Sequence, residues 1–299
     1  MMQGKICMVT GANSGMGNVI AQGLAREGAT VVMVCRDPRK GEQAQHEIKL
    51  ATGNSSIDLL IADLSSQKAV RRLVQEFKQR YSSLHVLVNN AGAHIQKRIL
   101  SADGIEMNLA VNHLSSFLLT NLLIDVLRTS ETARIINVAS NATTRTIDLD
   151  DIQSERSFVP MRVYGQAKLQ MVLCTYALAR RFAGTGVTVN ALHPGITATN
   201  LVDLATHERF HPLIARPLLF ILKHFLQTPE EGAKTALYLA TSSTVEGVTG
   251  RYFVKGREKP SVPISYDVAL QERIWKLSKT LVGLDSLPDK YLEKNHNYD

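Results

Sequence analysis

Tyr164 and Lys168 stand four positions apart in the stretch YGQAK (164–168). On a helix that spacing places a phenol and an ammonium on one face. A free phenol titrates near 10, too high for an efficient base at neutral pH, and a neighbouring cation favours its ionised form. The pair can be a tuned proton-transfer couple, or two polar residues of an ordinary amphipathic helix. Other residues of chemical interest follow short apolar runs: TGANSGMG (10–17), Cys35-Arg36, Asp63-Leu64, NNAG (89–92), Ser140 and HPG (193–195).

The elements that must position them alternate. Apolar runs at 5–10, 30–35, 57–63, 85–90, 133–140 and 187–193 read as buried strands. Helical patterns cover 15–27, 38–52, 65–81 (with Ser65 as N-cap), 104–128, 160–183 and 229–241, and GRYFVKG (250–256) ends the alternation. Apolar strands alternating with helices imply parallel pairing. The fold class is therefore α/β, a single doubly wound sheet of the Rossmann type with helices on both faces. Residues 1–256 form the domain and 257–299 an extension with a polar tail, SLPDKYLEKNHNYD (286–299). In such sheets ligands bind at the carboxyl ends of the strands, which is where the residues named above fall.

Each strand end has its own chemistry. Gly11, Gly15 and Gly17 let the chain turn tightly and approach a phosphate, and the helix that follows offers free N–H groups. The second strand ends at Cys35, where a carboxylate would suit the ribose hydroxyls of NAD(H); Arg36 instead suits a 2′-phosphate. NADP(H) is the expected cofactor and NAD(H) the alternative, with Asp37 one step further on. Asp63 can meet the adenine amino group or cap the next helix. Pro194 fixes the chain direction, Gly195 removes side-chain bulk, and His193 reads as a packed strand residue.

Composition excludes several classes. The 299 residues are 44% hydrophobic and 20% charged, as a soluble protein with a large core requires. The net charge of +7 is spread out, with no zinc-finger spacing or basic heptads, so nucleic acid is not an expected partner. Cys7, Cys35 and Cys174 lack paired spacing and read as core residues of a reducing, cytoplasmic protein. MMQGKICMVTG is too short and polar for a signal peptide, and no run is long enough to span a membrane.

With TGANSGMG, NNAG, Asn112 in LAVNHLSSF, Ser140, YGQAK and HPG in this order, the chain resembles the short-chain dehydrogenase/reductase family over about residues 4–255. VCRD (34–37), NHLSSFLLT (112–120), GTGVTVNALHPG (184–195) and RIWKLSKTLVGL (273–284) make it similar to the retinol dehydrogenase branch. The resemblance implies an oxidoreductase acting on a hydroxyl or carbonyl of a hydrophobic small molecule: a retinoid-like compound, a lipid aldehyde or a steroid. Tyr164 is then the general acid/base and Ser140 orients the reacting oxygen. Lys168 binds the nicotinamide ribose and lowers the Tyr164 pKa, and Asn112 holds a water of the proton relay. The implied cofactor surface comprises Gly11, Asn13, Ser14, Gly15, Met16, Gly17, Arg36, Asp63, Leu64, Asn90, Ala91, Gly92, Tyr164, Lys168, Pro194, Gly195 and Thr197. Met16, Ser115-Ser116 and Ala167 depart from the commonest residues of the family without removing an acid/base group. Members of the family pair into dimers or tetramers through the helices at 104–128 and 160–183. An opposing reading is a non-catalytic NADP-binding regulator of the same fold.

HERFH (207–211) matches the H-E-x-x-H zinc pattern, but Pro212 follows at once and no third ligand stands out, so no metal is expected. By the resemblance, residues 197–228 form a substrate lid. The apolar run 212–227 carries Arg216, Lys223 and His224, and reads as lid, core or a peripheral membrane contact.

Overall fold

The computed structural model describes residues 2–195 and 228–285. Thr197, the HERFH segment, the run 212–227 and the tail 286–299 lie outside the described residues. The strands are β1 (Ile6–Thr10), β2 (Thr30–Cys35), β3 (Ile57–Ile61), β4 (Val86–Asn89), β5 (Ala133–Val138), β6 (Val187–His193), β7 (Tyr252–Val254) and β8 (Arg257–Glu258). They form one sheet in the order β3-β2-β1-β4-β5-β6-β7-β8, parallel except for the final antiparallel pair. The order reverses between β1 and β4, which opens a crevice at their carboxyl ends.

Parallel strands are covered on both faces, so their side chains are apolar with little alternation. Met33, Val9 and Ile57 meet α1 (Gly15–Arg26), α2 (Pro38–Thr52) and α8 (Pro229–Thr241) on one face. Met8, Leu87 and Ile135 meet α3 (Gln67–Arg80), α5 (Ser115–Leu122) and α7 (Pro160–Arg181) on the other. The cap of α3 is Ser66, whose hydroxyl accepts from Ala69 N, and not Ser65; the Ser65 N–H and hydroxyl both donate to Asp63 Oδ1.

The helix expected over 104–128 is interrupted. It runs as α4 (Met107–Leu109), a π-helical turn at Ala110–Leu114, α5, and α6 (Ile124–Arg128). Ser115 closes that turn. Its hydroxyl takes the Val111 carbonyl at 2.7 Å, the ordinary i−4 acceptor, and its N–H steps back to the Ala110 carbonyl. GRYFVKG is a hairpin end: Lys255 and Gly256, with φ of 50° and 71°, turn β7 into β8.

The described part of the C-terminal extension belongs to the same core. Asp267 caps α9 (Val268–Leu281) by accepting from Leu270 N, and α9 lies along α7. Trp275 is buried, its ring edge-on to Phe117 at 4.8 Å and under the Arg181 guanidinium at 4.2 Å. The hydroxyl of Ser278 hydrogen-bonds His113 Nε2 at 2.7 Å. Burial pushes the His113 imidazole down to about 3, so this tie is neutral. Part of the α7 surface expected to pair with a second copy is thus covered by the chain itself.

Candidate active site

The Gly-rich turn after β1 is braced from β4. The Thr10 hydroxyl accepts from Asn90 N and Ala91 N at 2.9 and 3.0 Å, and the Asn90 amide donates to the Thr10 carbonyl at 2.8 Å. Gly11 and Gly15 adopt φ of 66° and 53°, which side chains resist. A Cβ on Gly17 would lie 2.2 Å from the Gly11 carbonyl oxygen, so the first turn of α1 packs directly on the loop. Ser14 sits at the cap of α1 with no side-chain bond to it, leaving the first N–H groups uncovered. Asn13 is half-buried, Ser14 exposed, and Met16 rests partly buried on the core. This glycine surface ending in bare N–H groups fits a dinucleotide pyrophosphate.

The neighbouring strand ends complete that edge. Cys35 is buried and Arg36 exposed; Asp37 caps α2 by accepting from Lys40 N at 3.2 Å. The Asp63 carboxylate is exposed but bonded to Ser65, so it does not cap α3, and Leu64 packs partly buried on the core. After β6, Gly195 takes φ 94° and its N–H donates to His193 Nδ1 at 3.3 Å, so the buried His193 shapes the Pro194 turn.

The acid/base residues converge from the π-helical turn, the end of β5 and α7. Tyr164 hydrogen-bonds Ser140, whose hydroxyl also accepts from Ala142 N at 3.1 Å. Lys168 is 3% exposed; its ammonium donates to the Val138 carbonyl at 2.8 Å and lies 6.0 Å from the Tyr164 ring centre. A Cβ on Gly92 would lie 2.9 Å from Asn112 Oδ1 and 3.3 Å from Lys168 Nζ, so Gly92 leaves open the space between them. Gly165 has a comparable role: a Cβ there would meet the Ala142 carbonyl at 2.3 Å, where the Ser140 loop lies against α7. Gly165→Ala is expected to lower kcat about tenfold by displacing that loop, with cofactor KM unchanged; steady-state kinetics in both substrates will show it.

The acid/base groups are all buried. Burial raises the Tyr164 pKa above its ordinary value, and only the Ser140 hydrogen bond opposes it. Burial also lowers Lys168 itself, to about 8. As the Lys168 proton is lost, kcat/KM for the cofactor, which reports the free protein, is expected to fall as pH rises through about 8. Lys168→Met should abolish that limb, and a flat alkaline profile in the unmodified protein would contradict it. Asn112 ties two segments together. Its amide is spent on the protein, accepting from Ala93 N and donating to the carbonyls of Ala93 and Asn108. The side chain acts first as a clamp on the segment after NNAG.

Residues outside the motifs extend that clamp. Asn108, one turn earlier, accepts from Ile95 N at 2.9 Å and donates to the Ile95 carbonyl at 3.2 Å. The fully buried Glu106 carboxylate takes N–H groups of Asn108 and Leu109. Between the two clamped residues, the His94 ring is held edge-on to Tyr164 at 5.3 Å. The helix start at Glu106 was the one signal of this arrangement open to sequence reasoning; the pairing with 93–95 is a tertiary contact.

The chain matches the short chain dehydrogenase family over residues 5–209. It is 42% identical to retinol dehydrogenase 14 of Homo sapiens, covering 95% of this chain and 88% of that protein. It is 36% identical to Homo sapiens polyprenol dehydrogenase, covering 94% and 86%. The Pseudomonas aeruginosa RhlG/NADP active-site complex superposes with a TM-score of 0.66 at 27% identity, over 84% of this chain and 94% of that one. The chain is thus an oxidoreductase of the short chain dehydrogenase family, in its retinol dehydrogenase-like branch.

Proposed function

We propose that this oxidoreductase passes hydride between NADP(H) and a hydroxyl or carbonyl of a hydrophobic small molecule, working at neutral pH as a carbonyl reductase. The observation that carries the reading is the meeting of Tyr164 with Ser140 and the buried Lys168 at the carboxyl end of the sheet; burial raises the Tyr164 pKa, which favours its donating form. Tyr164 gives its proton to the carbonyl oxygen, and Ser140 orients that oxygen. Lys168 holds the ribose, and Asn112 fixes the wall behind them. When bound, the nicotinamide supplies or accepts the hydride.

NADP(H) is favoured over NAD(H) by the end of β2. Asp37 is committed to the N-terminus of α2, while Arg36, Arg39 and Lys40 stand exposed around it. A phosphate suits that surface better than neutral hydroxyls do, and the RhlG relative is an NADP complex. Arg36→Asp is expected to lower the NADPH:NADH ratio of kcat/KM by about 10²-fold, the loss of one bidentate charge contact plus repulsion; an unchanged ratio would place phosphate recognition elsewhere.

The names of the two curated relatives point to isoprenoid alcohols and their aldehydes as the substrate class. Among the described residues no helix is long and apolar enough to cross a membrane. A peripheral contact through 212–227 rests on that segment's sequence alone, as does a cytoplasmic location on the cysteine usage. The regulator reading is the weaker one, because Ser140, Tyr164 and Lys168 are present and brought together.

A further inference from the structure

Ser140 is held from a direction that none of the motifs contains. The hydroxyl of Tyr252, on β7, donates to the Ser140 main-chain carbonyl at 3.2 Å, 112 residues away in the chain. Tyr252 is 7% exposed and lies opposite Ala191 of β6. Its ring belongs to a small cluster with Ala139, Met171, Val172, Tyr176 and Ala191, separate from the two main cores. That cluster sits between the residue preceding Ser140 and the stretch of α7 just beyond Lys168.

Ser140 needs such a hold. β5 ends at Val138, and the main chain is last tied to β6 by Ala139 N, which donates to the Leu192 carbonyl at 2.8 Å. Beyond that point the Ser140 side chain bonds Ala142 N and Tyr164, and its carbonyl bonds Tyr252. A buried tyrosine hydroxyl must find some partner, which would be the bland explanation. Here its single donor goes to the residue that orients the reacting oxygen, and burial keeps that donor protonated.

We propose that Tyr252 is a positioning residue for catalysis: its hydroxyl fixes the Ser140 carbonyl and with it the direction in which the Ser140 hydroxyl faces Tyr164. This rests on the reading of Ser140 and Tyr164 as the reacting pair.

The test is a double-mutant cycle in the full chain: Tyr252→Phe, Ser140→Ala and the two combined, with turnover counted per titrated NADPH site. Tyr252→Phe keeps the ring and the packing of its cluster, and counting sites keeps a partly unfolded preparation informative. The expected result is a fall in kcat of about 3- to 10-fold for Tyr252→Phe, the loss of one hydrogen bond, with NADPH KM unchanged. In the Ser140→Ala background Tyr252→Phe should have no further effect. Loss of the Tyr164 proton should set an alkaline limb in kcat for reduction, separate from the Lys168 limb in the cofactor's kcat/KM, and that limb should move to higher pH in Tyr252→Phe, because the Ser140 bond is what lowers the Tyr164 pKa. Equal losses in both backgrounds, or no loss in either, would overturn the proposal while leaving the catalytic reading intact. Inactivity of the unmodified chain with NADPH bound and every carbonyl tried would remove both.

Discussion

Tyr164→Phe should lower kcat for carbonyl reduction by roughly 10²- to 10⁴-fold, the usual worth of a positioned acid/base group, while the protein still folds and binds NADPH. The separation of these effects follows from what the substitution removes. The phenol ring stays, and with it the edge contact to His94 and the packing beside Lys168. Only the hydroxyl and its bond to Ser140 are lost. One such bond is worth about 1 kcal/mol, a shift of a few degrees at most in the melting temperature of a protein this size. The proton, by contrast, has no substitute donor on Ser140, whose own hydroxyl is far too weak an acid. NADPH fluorescence titration, thermal melting and initial rates on one preparation will separate the three quantities. Turnover within threefold of the unmodified protein would remove Tyr164 from the reaction.

Gly17→Ala should disable the site from the cofactor side. Two effects of opposite sign compete. An alanine inside a helix is better than glycine by about 1 kcal/mol. Against that, the added Cβ would sit 2.2 Å from the Gly11 carbonyl oxygen, 2.4 Å from the Asn90 amide nitrogen and 2.9 Å from the Gly11 carbonyl carbon. Two of those three atoms are backbone and cannot rotate away, and the third is the amide that ties the loop to β4. Relief therefore moves the loop or the start of α1, at about 1–3 kcal/mol for overpacking of this kind. The net change in stability runs from neutral to destabilising by about 2 kcal/mol. The larger consequence is for binding: the N–H groups that fit a pyrophosphate move together with the loop, and the NADPH dissociation constant should rise at least tenfold, about 1.4 kcal/mol. Calorimetric titration with NADPH beside a denaturant melt will check both numbers.

The sheet was legible because parallel strands are buried on both sides and so read as unbroken apolar runs, as ICMVT and TVVMVC do. The candidate site was legible because its residues fall where those runs stop. Other features depend on contacts that spacing does not encode. The apolar pattern from 104 to 128 continues straight through the π-helical turn, which nothing in the spacing marks. Two adjacent serines left the cap of α3 one residue out. β8 is two exposed charged residues with no pattern at all, and only Lys255-Gly256 marks the turn before it. Gln271, Ile274, Trp275 and Ser278 have helical spacing, but nothing local says that they pack on α7. The surroundings of Tyr164 are hidden for a related reason: a lysine four residues away is visible in the sequence, whereas the burial that raises the phenol's pKa is not.

The activity proposed for this chain is carbonyl reduction with NADP(H). The most direct measurement is the rate of NADPH and NADH oxidation by the purified full chain at neutral pH with a panel of aldehydes that includes isoprenoid compounds such as retinal. The account predicts turnover that requires the aldehyde, favours NADPH over NADH and rises with the hydrophobicity of the substrate. NADPH binding without turnover of any aldehyde, or a strong preference for NADH, would contradict it.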